Sequence, residues 1–485
     1  MKGLNVMSLK DLRQKLDKKE ISVVELTIEY LNRIEKTDGK VNSYITVCAE
    51  SAVSDAEKAQ TMIDGGTADA FTGLPISVKD NICTEGIKTT CASRMLENFI
   101  PPYSATAVER LKKSGAVILG KTNMDEFAMG GSSQTSYFGG VKNPFDTTRV
   151  TGGSSGGAAA SVAAGLCAAA LGSDTGGSVR QPASFCGVTG LKPTYGVVSR
   201  WGLIAFASSL DQIGVVANSA EDCGYLLNGI YGYDENDATS SRAATGDYTA
   251  LVGNSISGLK IGVPKEFFGD GLDDEVKTAV LDAVEYYKKS GCEIAEVSLP
   301  SLEYAVSAYY LISSAEAASN LSRFDGIKYG YRSGLGEDFN ELIKNSRREG
   351  FGSEVKRRIM LGNYALCSGY YDAYYKNATR IRTQLRREYA EIFNKCDLIL
   401  TPTAPTTAYK IGEQENDPVK MYLADIYTVT VNIAGLPAIS TTCGYDRNGM
   451  PIGMSLIGRA FDEKTIISAC DRFETDFDRR EARGI

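Results

Sequence analysis

Histidine is absent from all 485 residues. That removes the usual proton acceptor of a serine nucleophile and the commonest nitrogen ligand of a metal. The eleven cysteines form no C-x-x-C pair, so a zinc site would need thiolates gathered from distant parts of the chain, and no metal site is expected. Odd in number and scattered, they read as reduced, mostly buried thiols of a cytoplasmic protein. Positive charge is also short: 52 Lys and Arg against 60 Asp and Glu leave a net charge of -8. A nucleic-acid backbone is gripped by clustered Lys and Arg, so this chain is not expected to hold one by itself. No apolar run has the length of a membrane span; the Ala-rich "GGAAASVAAGLCAAALG" comes nearest and is broken by Gly165. The opening "MKGLNVMSLKDLRQKL" lacks the apolar core of a signal peptide.

What is present reads as a layered α/β protein. Ser8 is placed to cap a first helix with Leu9, Leu12 and Leu16 on one face. Ser22 and Glu25 form a capping-box pattern ahead of Leu26, Tyr30, Leu31 and Ile34. Strand-like runs ("LPISVK", "AVIL" at 116–119, "LKIGV", "DLILTPT", "AISTTCGY") alternate with amphipathic helices such as "DDEVKTAVLDAVEYYKKSG", the pattern of helices packed on a sheet. The Gly/Ser-rich stretch 151–157 leads into the Ala-rich segment, predicted as a helix small on every face and therefore central. Residues 231–258 are polar and rich in turn formers, a connection between two halves of the fold.

Several motifs match a pattern without its mechanism. Gly115, Gly120, Lys121 and Thr122 satisfy the phosphate-loop spacing, but the intervening Ala-Val-Ile-Leu reads as a buried strand whose amides are committed to a sheet, not as an open cradle. "GGSSG" matches a nucleophile elbow at Ser154 and "GSSGG" does so at Ser155, yet that elbow works with a histidine. "SGLK" at 257–260 has the serine–lysine spacing of a β-lactamase, without that family's companion motifs. More informative is "LGSDTGGSVRQPAS", where the amides of Thr175, Gly176, Gly177 and Ser178 precede a helix N-terminus and can converge on one oxyanion. A base for Ser178 must then be a carboxylate, cysteine, tyrosine or lysine. A lysine serves only when neutral; bringing its pKa from about 10.4 to about 7–8 disfavours its charge by roughly 4 kcal/mol, which full burial supplies. Lys79, inside the apolar "LPISVKDNI", is the candidate.

With Lys79, "TGGSSGG" and "GSDTGGSVRQPAS" together, the sequence resembles the amidase signature family. The resemblance implies a Ser-cisSer-Lys triad with Lys79 as base, Ser154 as relay and Ser178 as nucleophile, on one α/β/α domain over 1–485 whose central mixed sheet is covered by helices. The blocks "NMDEFAMG", "KNPFD", "NLSRFDGIKYG", "RRIMLGNYALCSGYYDAYY" and "LTPTAPTTAYKIGE" resemble the branch that supplies glutaminase subunits to tRNA-dependent amidotransferases. That branch implies Arg358 and Asp425, with Tyr309 nearby, as holders of glutamine's α-carboxylate and α-amine, and Met129 and Gly130 as further binding positions. It implies partner subunits B and C, charged tRNA met through the complex, ATP and Mg²⁺ on the amidating partner, and no cofactor in this chain. The chain reads "MGGSSQTS" where that branch usually reads "MGSSTENS", so Gly131 stands at a common serine position. The alternatives are a stand-alone amidase with the same triad, a nucleotide-binding protein using Lys121, and an inert scaffold of the complex.

Overall fold

The computed structural model describes residues 7–244, 246–336, 338–413, 418–477 and 479. Its strands are β1 (Tyr44–Val47), β2 (Pro75–Lys79), β3 (Val117–Thr122), β4 (Ala169–Asp174), β5 (Thr189–Lys192) and β6 (Gln212–Ala217), followed by β7 (Lys260–Pro264), β8 (Glu293–Val297), β9 (Leu398–Pro402), β10 (Ala438–Tyr445) and β11 (Pro451–Gly458). They form one sheet in the order β1-β3-β2-β4-β6-β5-β10-β11-β9-β7-β8. Strands preceding residues 231–258 thus occupy one end and strands following them the other, joined where β5 and β10 pair antiparallel. The sheet is mixed: β2 runs parallel to β3 and β4, β7 runs parallel to β8 and β9, and β4–β6 and β10–β11 are antiparallel.

Burial follows position in the sheet. Every residue of β2, β3, β4, β6, β9 and β11 is buried, whereas the edge strands β1 and β8 each keep a single buried residue. Helices cover both faces. A Cβ on Gly453 of β11 would meet Ser184 of the helix Arg180–Cys186, and one on Gly458 would meet Ile466 of the helix Glu463–Asp476. An odd separation along a strand puts the two contacts on opposite faces.

Local signals act as read near the N-terminus. Ser8 accepts from the Asp11 amide at the start of Leu9–Asp17, and Ser22 and Glu25 cap Val23–Val41 reciprocally. The Ala-rich segment differs from the expectation of one helix. The helix is only Gly156–Ala163; Gly165 takes φ +64°, and Ala169–Asp174 becomes the central strand β4. Small side chains satisfy either state, and the left-handed glycine ends the helix before the second alanine run pairs with β2 and β6. All eleven cysteines are free thiols, ten buried and Cys367 exposed. No described helix is long and apolar enough to cross a membrane.

Candidate active site

β2 and β4 lie side by side and parallel, with Val78 opposite Leu171, so their carboxyl ends open together, the place where such sheets take ligands. Lys79 is the last residue of β2. It is 0% exposed, and its Nζ donates to Ser154 Oγ (2.7 Å), Ser155 Oγ (2.7 Å) and the Ser173 carbonyl (3.2 Å). Burial pushes its pKa down to about 7, against the pull of the Asp125, Asp174 and Asp211 carboxylates. A lysine placed this way is half neutral near pH 7 and can accept a proton.

The serines come from two loops stitched together by backbone. The Gly153–Ser154 peptide is cis, and the Ser154 carbonyl accepts from the Asp125 amide (3.2 Å). The Gly153 amide donates to Gln181 Oε1 (2.9 Å). The Ser155 amide donates to the Ser178 carbonyl (3.0 Å), which sets the Ser178 loop beside the lysine cluster. Ser178 is 7% exposed, and its hydroxyl makes no hydrogen bond among the described residues.

Asp174, at the end of β4, organises that loop. Its carboxylate accepts from the amides of Gly177 (2.9 Å) and Val179 (3.1 Å), from Arg180 Nε and Nη2 (3.1 Å each), and from Asn432 Nδ2 (2.9 Å). Burial alone would favour the neutral acid; the Arg180 guanidinium overrides it and holds Asp174 well below the usual carboxylate range. This corrects one expectation. The Gly177 amide is committed to Asp174, a buried carboxylate that needs donors, so the amides left for an oxyanion are those of Thr175, Gly176 and Ser178. Gly177 has φ +135°, and a Cβ there would lie 2.3 Å from Thr428 Oγ1; only glycine fits.

The opposite wall carries the remaining expected residues. The Tyr309 ring lies against Gly176, whose Cβ, if it had one, would stand 2.6 Å from the tyrosine oxygen. Arg358, 2% exposed on the helix Ser353–Leu366, donates from Nε to Glu354 Oε1 (2.7 Å) and lies over the rings of Tyr310 (4.4 Å) and Tyr422 (4.9 Å). The Tyr310 hydroxyl in turn donates to Asp425 Oδ2 (2.8 Å). Burial pushes Asp425 up to about 7, while Tyr310 and Arg358 favour its ionised form. Met129 is wholly buried and Gly130 has φ +157°. A Cβ on the next residue, Gly131, would stand 3.9 Å from Asp425 Oδ1 and 3.7 Å from Gln181 Nε2. A guanidinium and a carboxylate on one wall can read the two charges of an α-amino acid.

Lys121 is removed from any ligand. β3 runs through Gly120, Lys121 and Thr122, and Lys121 is 0% exposed. Its Nζ is held by the Ile82 carbonyl and Thr89 Oγ1 (2.8 Å each), with Asp80 Oδ1 at 3.5 Å. Sequence reasoning met Ser155 only as a second elbow position and missed Asp125, Glu354, Tyr310 and Tyr422. Glu354 lies one helical turn before Arg358 and Tyr310 follows Tyr309, whereas Asp125 and Tyr422 reach the site through contacts distant in the chain. Among the described residues no cluster of metal-ligating side chains occurs.

A mixed sheet covered by helices, with a buried lysine–serine cluster at the ends of its parallel strands, defines an α/β fold with a candidate catalytic site. The chain belongs to the amidase family, whose description, Amidase, matches it over residues 25–467. The A subunit of glutamyl-tRNA(Gln) amidotransferase from Ruminiclostridium cellulolyticum is 58% identical over 472 residues, 97% of each chain. The protein of the same name from Thermoanaerobacter pseudethanolicus is 54% identical over 96% of each. The crystal structure of its counterpart from Thermotoga maritima, again named for the A subunit of glutamyl-tRNA(Gln) amidotransferase, is 38% identical, with a TM-score of 0.81 over 100% of this chain and 99% of that one.

Proposed function

We propose that this chain is the glutaminase subunit of a tRNA-dependent amidotransferase in the cytoplasm. In this reading neutral Lys79 takes the proton of Ser154 as Ser154 takes that of Ser178, and Ser178 Oγ attacks the side-chain carboxamide carbon of glutamine. The amides of Thr175, Gly176 and Ser178 stabilise the tetrahedral oxyanion. The proton returns through Ser154 to the leaving nitrogen, ammonia departs, and a glutamyl ester remains on Ser178. Water hydrolyses that ester by the same relay, releasing glutamate. Arg358 holds the α-carboxylate, Asp425 holds the α-ammonium, and Tyr309, Met129 and Gly130 close the pocket around the side chain.

Ammonia passes to an amidating partner, which carries ATP and Mg²⁺ and converts Glu-tRNA(Gln), or Asp-tRNA(Asn), to the amidated form. The assembly is a heterotrimer with subunits B and C, in keeping with relatives that are themselves named as one subunit of an amidotransferase. The net charge of -8 suits a chain that meets tRNA through the complex rather than directly.

The observation that carries this reading is one buried guanidinium and one buried carboxylate on the wall that Tyr309 joins to the nucleophile loop. A hydrolase for simple amides has no use for that pair. The test compares kcat/KM for glutamine and for butyramide, the same carboxamide without the charged α-groups, in the full chain. Glutamine is expected to be strongly preferred. Arg358→Ala should cut that preference by about 30-fold or more, the cost of deserting a buried charge. Equal use of both amides by the wild type would sink the assignment.

A further inference from the structure

Asp211 is a second buried carboxylate that grips the Ser178 loop. It immediately precedes β6 and is 2% exposed. Its Oδ1 accepts from Thr175 Oγ1 (2.7 Å) and the Ala207 amide (3.1 Å), and its Oδ2 accepts from the amides of Phe206 (2.9 Å) and Ala207 (3.0 Å). Residues 206–211 are themselves anchored on the helix Leu302–Asn320, which lays Tyr309 against Gly176. Asn320 Nδ2 donates to the Phe206 carbonyl (3.1 Å), and the Ser209 amide donates to Glu316 Oε2 (2.9 Å). The two halves of the Ser178 loop are thus held by different carboxylates. Asp174 takes the amides of Gly177 and Val179, and Asp211 takes the Thr175 side chain. Between those two grips, the amides of Thr175, Gly176 and Ser178 donate to no acceptor among the described residues.

We propose that Asp211 is a positioning residue for the oxyanion site: by holding the Thr175 hydroxyl it sets the direction of the Thr175 amide. The inference rests on the Ser178 scheme above and deepens it. In threonine the hydroxyl oxygen and the amide nitrogen sit on neighbouring carbons, so a fixed hydroxyl restrains the rotation that would turn the N–H away. A carboxylate suits the task, because its two oxygens take the hydroxyl and the loop amides at once. Oxyanion donors work by being aimed before the charge develops. An anchor for one of them therefore acts on the chemical step and leaves ground-state binding of the amide alone.

Variants of the full chain test this. Thr175→Val keeps the shape of the side chain and removes the tether; Thr175→Ser keeps the tether and removes the methyl group. The readouts are kcat and KM for butyramide and the inhibition constant of butyraldehyde. Ser178 Oγ adds to the aldehyde carbon, its proton passes through Ser154 to Lys79, and the aldehyde oxygen becomes an oxyanion in the site. Thr175→Val is expected to lower kcat about 30-fold or more with KM within about threefold, and to weaken butyraldehyde by the same factor as kcat. Thr175→Ser should recover about tenfold of each loss. Asp211→Asn leaves one oxygen for the loop amides and gives up the tether, so kcat falls there too. Adding Thr175→Val to it should cost less than about threefold more, since both changes break one hydrogen bond. A loss of folded protein lowers kcat and leaves the inhibition constant unchanged, which overturns the inference. So do a Thr175→Ser variant as impaired as Thr175→Val and effects at the two positions that multiply. A wild type insensitive to butyraldehyde overturns the Ser178 scheme and this inference with it; equal sensitivity of wild type and Thr175→Val overturns this inference alone.

Discussion

Ser178→Ala will slow glutamine hydrolysis by about 10⁵-fold and move Tm by no more than about 1 °C. The kinetic half follows from the absence of another nucleophile in the proposed scheme. The alternative hydroxyls, Ser154 and Ser155, are both tied to Lys79 at 2.7 Å, and Ser155 Oγ also donates to the Ser173 carbonyl (3.0 Å). Oxyanion donors and binding residues remain in the variant, so a small residual rate over water is expected, as in other serine hydrolases stripped of their nucleophile. The thermal half follows from the structure. The Ser178 hydroxyl supports nothing, whereas the loop is held by the Ser178 backbone carbonyl and by Asp174, neither of which the substitution touches. Glutamine hydrolysis near the wild-type rate would remove Ser178 from the chemistry. A large fall in Tm would show that the lost rate reflects damage to the loop.

Lys79→Met should abolish activity and stabilise the protein. Without the base, the rate falls by about 10³-fold or more. The stability effect comes from the same physics that makes the lysine useful. Its folded-state pKa is about 7, against about 10.4 in an unfolded chain. Between those values the unfolded chain binds more protons than the folded one, so wild-type stability rises with pH across that window. At pH 7 the burden amounts to about 4 kcal/mol. Methionine fills similar volume without it, but gives up the hydrogen bonds to Ser154, Ser155 and the Ser173 carbonyl, about 1 kcal/mol each. A net gain of about 1 kcal/mol corresponds to a Tm rise of about 1 °C for a chain this long. Thermal melts at pH 7 and pH 10 check the sign, since the variant's advantage should fade at the higher pH. A variant less stable than wild type at pH 7 would mean that the lysine is well accommodated as a cation.

The residues that bear chemistry were more legible than the arrangement that aims them. Lys79 stood out because a lysine in an apolar run of strand spacing has nowhere to put its charge, and the loop around Ser178 because consecutive glycines before a helix bare its amides. The Ala-rich segment misled, because alanine satisfies a helix and a central strand equally, and Gly165, visible as a break, decided between them. The Gly177 amide could not be subtracted from the oxyanion donors without seeing Asp174 turn back on its own loop. Gln181 and Gly153 are 28 residues apart and Tyr310 and Asp425 are 115 apart. Such pairings belong to the fold, and no local pattern announces them. Arg358 and Asp425 taken alone look like a surface helix charge and a cap; burial behind Tyr310 and Tyr422 is what makes them a candidate binding wall.

The central claim is that one enclosed amine loses its proton near neutrality and thereby activates an alcohol. Its most direct measurement is kcat/KM against pH for butyramide, a substrate without ionising groups, so that Asp425 and the substrate's own charges stay out of the profile. The account predicts a rise through a single ionisation with a midpoint at about 7 and a plateau above it. A midpoint near 10, where an ordinary lysine titrates, or a rate indifferent to pH from about 5 to about 9, would contradict it.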